Sequence, residues 1–183
     1  MKNMNLNIAL YLKNALDEDS LFPKNVFSKE FNNSLFFEAD LIFSENFVDF
    51  ILTIMEIECV EQFCLLNMDE TNFNYSKYSA AIMGNDINKE SYLSLLKFSS
   101  LSNQWLYSMQ RYSCCSSSGN WVIYCERMND IAVISFKQGC NIDKYKRALD
   151  TLKALPIKEI VTSERFPFNK LVPSYQEELI QNY

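Results

Sequence analysis

Histidine is absent from this chain of 183 residues, and glycine occurs only three times, as Gly84, Gly119 and Gly139. The first absence removes the commonest general base, the usual partner of a serine or cysteine nucleophile, and the most frequent side-chain ligand of transition metals. The second leaves no phosphate-cradling loop and no dinucleotide-binding glycine cluster. Long hydrophobic runs are missing too, because an acid interrupts each of them, so no stretch of about 18 apolar residues marks a membrane span. Bases are scarce in one region: ten acids fall between Glu30 and Glu70, while the nearest lysines are Lys29 and Lys77.

Six cysteines, at 59, 64, 114, 115, 125 and 140, tempt a disulfide reading. The opening MKNMNLNIALYLKNALDED argues against it, since its apolar run before Lys13 is too short for the core of a secretory signal. The expectation is a cytoplasmic protein whose thiols stay reduced and pack as small hydrophobes. One C-x4-C pair and one vicinal pair do not make a zinc ribbon or finger, and no glycine-containing aspartate loop for calcium is present. No metal and no cofactor is expected.

What the chain does contain is a core. Its apolar fraction is 48% and its aromatic fraction 14%, with 14 Phe and 10 Tyr, far above what a disordered chain carries. The length suits one globular domain over residues 1–183, with no linker, repeat or low-complexity stretch beyond SCCSSSG at 113–119. Charge is polarised. Residues 1–100 hold 15 acids and 7 bases, residues 101–183 hold 8 acids and 10 bases, and the whole carries −6. A field of that sign repels nucleic acid and anionic membrane and speeds encounter with basic partners. The same surface also keeps an aromatic-rich protein in solution.

Periodicity supplies the elements. Leu6, Ala9, Leu10 and Leu16 predict a helix over 5–16, and SLFFEADLIFS alternates like a strand. Ser44 is placed to cap a helix over 45–57 on which Glu45, Asp49 and Glu56 share one narrow stripe and the rest is apolar. CVEQFCLLN suits a buried strand, and 69–90 a long loop with a short strand near Tyr78 to Met83. Helices are expected at 89–98 and, capped by Ser102, at 102–112. GNWVIYCERMNDIAVISFK predicts a hairpin, Trp121 to Glu126 and Ile131 to Lys137, turning at Asn129 and Asp130. Apolar residues on both faces of its strands point to a sheet covered on both sides. Asn141 caps an amphipathic helix ended by Pro156, IKEIVTS suggests a further strand, and Ser174 with Glu177 suggests a capping box for a last helix. The fold class is α+β, with an antiparallel or mixed sheet flanked by helices.

The run Gly119, Asn120, Trp121, Tyr124, Glu126, Arg127, Asp130, Ile131, Ala132 and Val133 resembles the central hairpin of immunity proteins from bacterial polymorphic-toxin and contact-dependent growth inhibition systems. That resemblance implies a small, non-enzymatic, acidic protein that blocks one toxin domain by tight one-to-one binding. Toxin nucleases are commonly basic, and an acidic inhibitor gains speed against them. The recognition surface expected on this basis is acidic: Glu38, Asp40, Glu45, Asp49, Glu56, Glu58, Glu61, Asp69 and Glu70, with Tyr75 and Tyr78 as aromatic anchors. Two other classes stay open: an enzyme using paired carboxylates or Cys115, and a structural or adaptor protein.

Overall fold

A computed structural model describes residues 11–12, 14–17, 19–69, 80–97 and 110–183. Its centre is one antiparallel sheet of six strands: β1 (Phe31–Glu38), β2 (Phe63–Asn67), β3 (Ala80–Met83), β4 (Arg111–Ser116), β5 (Trp121–Glu126) and β6 (Ile131–Lys137). The order across the sheet is β1-β6-β5-β4-β2-β3, and every neighbouring pair is antiparallel. The α+β class expected from the sequence is the one found, with its sheet antiparallel throughout.

Alternation along β5 and β6 explains why both strands are buried along their length, up to the half-buried Lys137. Trp121, Ile123, Cys125, Ala132, Ile134 and Phe136 enter one hydrophobic layer, while Val122, Tyr124, Ile131 and Val133 enter the other. Adjacent strand residues point to opposite faces, so a strand apolar at nearly every position needs cover on both sides. The first layer is covered by α1 (Phe47–Glu58), α2 (Lys89–Lys97) and α3 (Lys146–Leu152), which contribute Phe50, Tyr92 and Leu149 among others. Trp121 sits there edge-on to Phe50, with ring centroids 5.7 Å apart. The second layer is covered by the segment from Leu12 to Phe31, by α4 (Ile157–Thr162) and by α5 (Pro173–Asn182). Phe22 meets Tyr124 edge-on at 5.2 Å in that layer.

The hairpin turns where expected, through Arg127–Asn129, with Asp130 at φ 54°, a left-handed conformation that aspartate tolerates. At the outer edge of β1, Phe36 exchanges both backbone hydrogen bonds with Leu155, its N–H donating at 2.7 Å and its carbonyl accepting at 3.0 Å.

Several local expectations are corrected. The strand over 34–44 is β1 only as far as Glu38, after which Ala39–Phe43 forms a 3-10 turn. Ser44 does not cap α1; its hydroxyl donates to the Leu41 carbonyl at 2.8 Å, and Asn46 occupies the cap position without a side-chain bond. IKEIVTS is α4, because Ile157 and Ile160, three apart, both enter the second layer and Pro156 leads into the first turn. Ser174 lies inside α5, which starts at Pro173 with no side-chain cap, so the capping box does not form. Tyr112, assigned to a helix from the sequence, is a β4 residue, as is most of SCCSSSG. The rest of that helix, 102–109, lies outside the described residues, as do 5–10 of the first helix, of which 11–12 and 14–15 are helical. Asn141 does cap, accepting from the Asp143 N–H at 3.1 Å, though the first turn is 3-10.

Candidate functional site: an acidic helix face and a buried carboxylate

Helix α1 lies on the sheet through Phe47, Val48, Phe50, Ile51, Ile54 and Met55. Residues spaced by three and four share a face of a helix. On the outward face that spacing aligns Glu45, in the turn before the helix, with Asp49, Leu52 and Glu56. The three carboxylates are exposed, and Leu52, expected among the buried positions, is 37% exposed between them. Cations flank the stripe on either side. Lys89 at the start of α2 lies 4.0 Å from Glu45 and 3.9 Å from Asp49, and Arg147 of α3 pairs with Glu56. All five charged side chains keep roughly half or more of their surface in water, so these pairs hold each other weakly.

The other expected acids go elsewhere. Glu38 ends β1 opposite Ile131, and Asp40 follows at the end of the sheet where β5 turns into β6. There, burial and the neighbouring Asp40 charge push the Asp130 carboxyl above its ordinary range, with Arg127 opposing them. Asp69 is engaged within the fold: its carboxylate accepts from the N–H groups of Gln110 at 2.7 Å and Arg111 at 2.9 Å, and the Arg111 guanidinium stands 3.6 Å away. Glu61 is exposed between α1 and β2. Glu70, Tyr75 and Tyr78 lie outside the described residues. Among the described residues the acids of the 30–70 block are therefore divided among several places, and of these Glu45, Asp49 and Glu56 form a continuous stripe.

Glu58 behaves differently from all of these. It closes the last turn of α1 and points to the sheet, where five side chains donate to it. Oε1 accepts from Ser118 Oγ at 2.7 Å, Tyr145 OH at 2.8 Å and Asn120 Nδ2 at 3.2 Å. Oε2 accepts from Ser116 Oγ and from Trp121 Nε1 at 3.2 Å. Burial, then the bond to Glu58, raises the Tyr145 hydroxyl above its ordinary pKa. A carboxylate at a helix C-terminus faces the negative end of the helix dipole, and neutral donors compensate here. No lysine or arginine forms an ion pair with Glu58 among the described residues. With its oxygens already surrounded, this carboxylate is suited to holding parts of the fold together.

Cys115 is fully buried, and burial holds its thiol well above the ordinary range, the opposite of an activated nucleophile. No group of three Cys, Asp or Glu side chains able to hold a metal occurs among the described residues. An open depression of about 600 Å³ runs along α2, and the described residues lining it are Asn88, Glu90, Ser91, Ser94 and Leu95, of which Glu90 alone is titratable. No helix of the described residues is long and apolar enough to cross a membrane.

Fold and site together define a class: a three-layer α+β protein with an antiparallel sheet covered on both faces and an acidic stripe on one covering helix. No family model matches the chain, and no curated protein or solved structure matches it.

Sequence reasoning included Glu58 only as one acid among ten and missed its donors. One signal was available. At 100° per residue, Glu58 lies about 180° around the helix from Asp49, so a helix with Asp49 outside carries Glu58 inside. The same arithmetic puts Leu52 about 60° from Asp49, on the acidic side; Lys89 and Arg147, which flank the stripe, had no comparable signal.

Proposed function

We propose that this protein is a non-enzymatic binding protein, an immunity protein that neutralises a basic toxin domain by holding it one-to-one on the outer face of α1. The observation that carries this reading is the stripe of Glu45, Asp49, Leu52 and Glu56. It offers what a basic partner needs: carboxylates to steer encounter and an apolar side chain to bury once contact is made. Lys89 and Arg147 are exposed cations whose places a partner's arginines or lysines can take at small cost. Behind α1 lies a packed aromatic layer that fixes the stripe in place, so little ordering accompanies binding. Glu45 to Glu56 spans about 16 Å along a helix, enough for the centre of an interface with further contacts around it. The sequence resemblance of the β5–β6 hairpin agrees with this reading.

The test starts by recovering a stoichiometric partner from host cells on the tagged protein, with a salt ramp for elution, and then measures association rates with the purified pair. The expected rate falls steeply with ionic strength. The variant Glu45→Gln, Asp49→Asn, Glu56→Gln is expected to associate about tenfold more slowly at low salt and like the parent at high salt. Rates indifferent to both salt and these substitutions would overturn the proposal. So would a purified sample that turns over ester, phosphate or glycoside substrates and loses that activity when one carboxylate is replaced.

A further inference from the structure

We infer that Cys64 and Cys115 form a two-electron oxidation site inside the sheet, closing to a cross-strand disulfide when a peroxide reaches them. They are direct register partners on antiparallel β2 and β4. The backbone on either side fixes their relation. Ser117 N–H donates to the Gln62 carbonyl at 3.1 Å, and Met68 N–H to the Arg111 carbonyl at 2.9 Å. Hydrogen-bonded pairs recur at every second position of an antiparallel ladder, so counting inwards from both makes Cys64 and Cys115 a hydrogen-bonded pair as well. Such pairs have Cα atoms about 5.5 Å apart, within the range of bridged cysteines. Their Cβ atoms stand nearer to about 5.5 Å than to about 4.5 Å, so closing the bond draws the two side chains together by about 1 Å and leaves a strained, readily reduced bridge. Both side chains enter the second hydrophobic layer, and the Cys115 thiol is raised by burial and then by the neighbouring Cys64.

The other cysteines lack this geometry. Cys114 and Cys125 share the first layer, but Cys114 faces Ile123 and Cys125 faces Tyr112. That makes them diagonal neighbours, about 7–8 Å apart, too far to bridge without backbone movement. Cys59 is exposed at the end of α1, and Cys140 lies beside Tyr145.

The chemistry balances with one peroxide. The first cysteine, as thiolate, attacks a peroxide oxygen; the O–O bond breaks, the sulfur becomes a sulfenic acid and water leaves with the thiol proton. The second thiol attacks that sulfur, the S–S bond forms, and the hydroxyl leaves as a second water. Two thiols are oxidised and the peroxide is reduced to two waters. Both thiols are buried, and burial pushes Cys64 up to about 12, so the reaction is slow and needs an oxidant small enough to enter the layer.

The experiment exposes the folded protein to hydrogen peroxide, alkylates the remaining thiols, and maps peptides without reduction while circular dichroism follows the fold. The expected product is lighter by about 2 Da, joins the Cys64 peptide to the peptide carrying residues 114 and 115, and reverts with a thiol reductant. The link should vanish in Cys115→Ala and in Cys64→Ala, and persist in Cys114→Ala. A link to Cys125, a link that survives both Cys64→Ala and Cys115→Ala, oxidation of single thiols without a bridge, or bridging only at denaturant concentrations that unfold the chain would each overturn the inference.

Discussion

Glu58 and Glu126 are both carboxylates drawn into the body of the protein without an ion pair to a lysine or arginine among the described residues, yet they are held in different ways. Glu58 is half-buried at the end of α1 and divides five side-chain donors between its two oxygens. Glu126, only 9% exposed at the end of β5, has its hydrogen bonds among the described residues on one oxygen: Oε1 accepts from the Phe22 N–H and the Tyr124 hydroxyl, both at 2.9 Å. The first gathers the β4–β5 turn, β5 and the turn before α3 around a helix end. The second ties the N-terminal segment to the sheet. What matters is how many otherwise satisfied donors each acid would strand if it were lost, since a buried donor without a partner costs about 1–3 kcal/mol.

The largest effect expected from this comparison is at Glu58. Replacing it by alanine strands up to five donors, some of which water can reach, so Glu58→Ala should lower unfolding stability by about 2–4 kcal/mol. Urea denaturation measures it, and a loss below about 1 kcal/mol would mean that the donors find other partners.

Glutamine at each of the two positions sharpens the difference. An amide offers one acceptor oxygen and turns the other position into a donor. In Glu58→Gln, either orientation of the new amide sets its NH2 group against at least two of the surrounding donors, for an expected loss of about 1–2 kcal/mol. Glu126→Gln can keep both of its bonds on the amide oxygen and should stay within about 0.5 kcal/mol of the parent. Equal losses at the two sites would erase the distinction between them.

Asp130 gives the smallest effect and the opposite sign. Burial and the Asp40 charge raise its folded pKa, so folding favours the protonated form more than the unfolded chain does. That contribution is fully present below the ordinary carboxylate range and is lost as pH rises through the folded value. At neutral pH the ionised carboxylate therefore destabilises the fold. Asparagine tolerates the φ of 54° as aspartate does. Asp130→Asn should gain a few tenths of a kcal/mol at pH 7, and the gain should disappear near pH 3. Thermal melts at the two pH values measure it, and an equal gain at both would assign the effect to backbone preference instead of charge.

How much of this could be read beforehand depended on whether the local signal agreed with the tertiary one. In the hairpin from Trp121 to Lys137, β-branched and aromatic residues, turn residues and two-sided apolarity all agree, and its edges match the structure. In α1 the spacing of Glu45, Asp49 and Glu56 agrees with the burial of the opposite face, and it places Leu52, apolar by type, on their exposed side. Strand β4 was hidden because Ser113 and Ser116 make RYSCCS resemble a loop. Within the sheet those hydroxyls are satisfied, Ser113 donating to the Ile123 carbonyl at 2.9 Å and Ser116 to Glu58. In α4, β-branched residues suggested a strand, but the shared burial of Ile157 and Ile160 decided for helix. The stripe on α1 was legible as helical periodicity. The gathering at Glu58 was not, because its donors come from residues 58 to 87 positions away along the chain.

The single bridge between Phe36 and Leu155 also bears on how the protein behaves in a crowded solution. FNNSLFFE is an edge strand whose second half, LFF, is apolar and β-prone, the kind of template on which a second chain can add a strand. Leu155 already occupies both backbone groups of Phe36, and it is attached to the same chain between α3 and Pro156. An incoming strand must evict a tethered competitor whose local concentration it cannot match, and the proline that follows cannot donate the next ladder bond. One residue thus works as a stopper against edge-to-edge growth into aggregates.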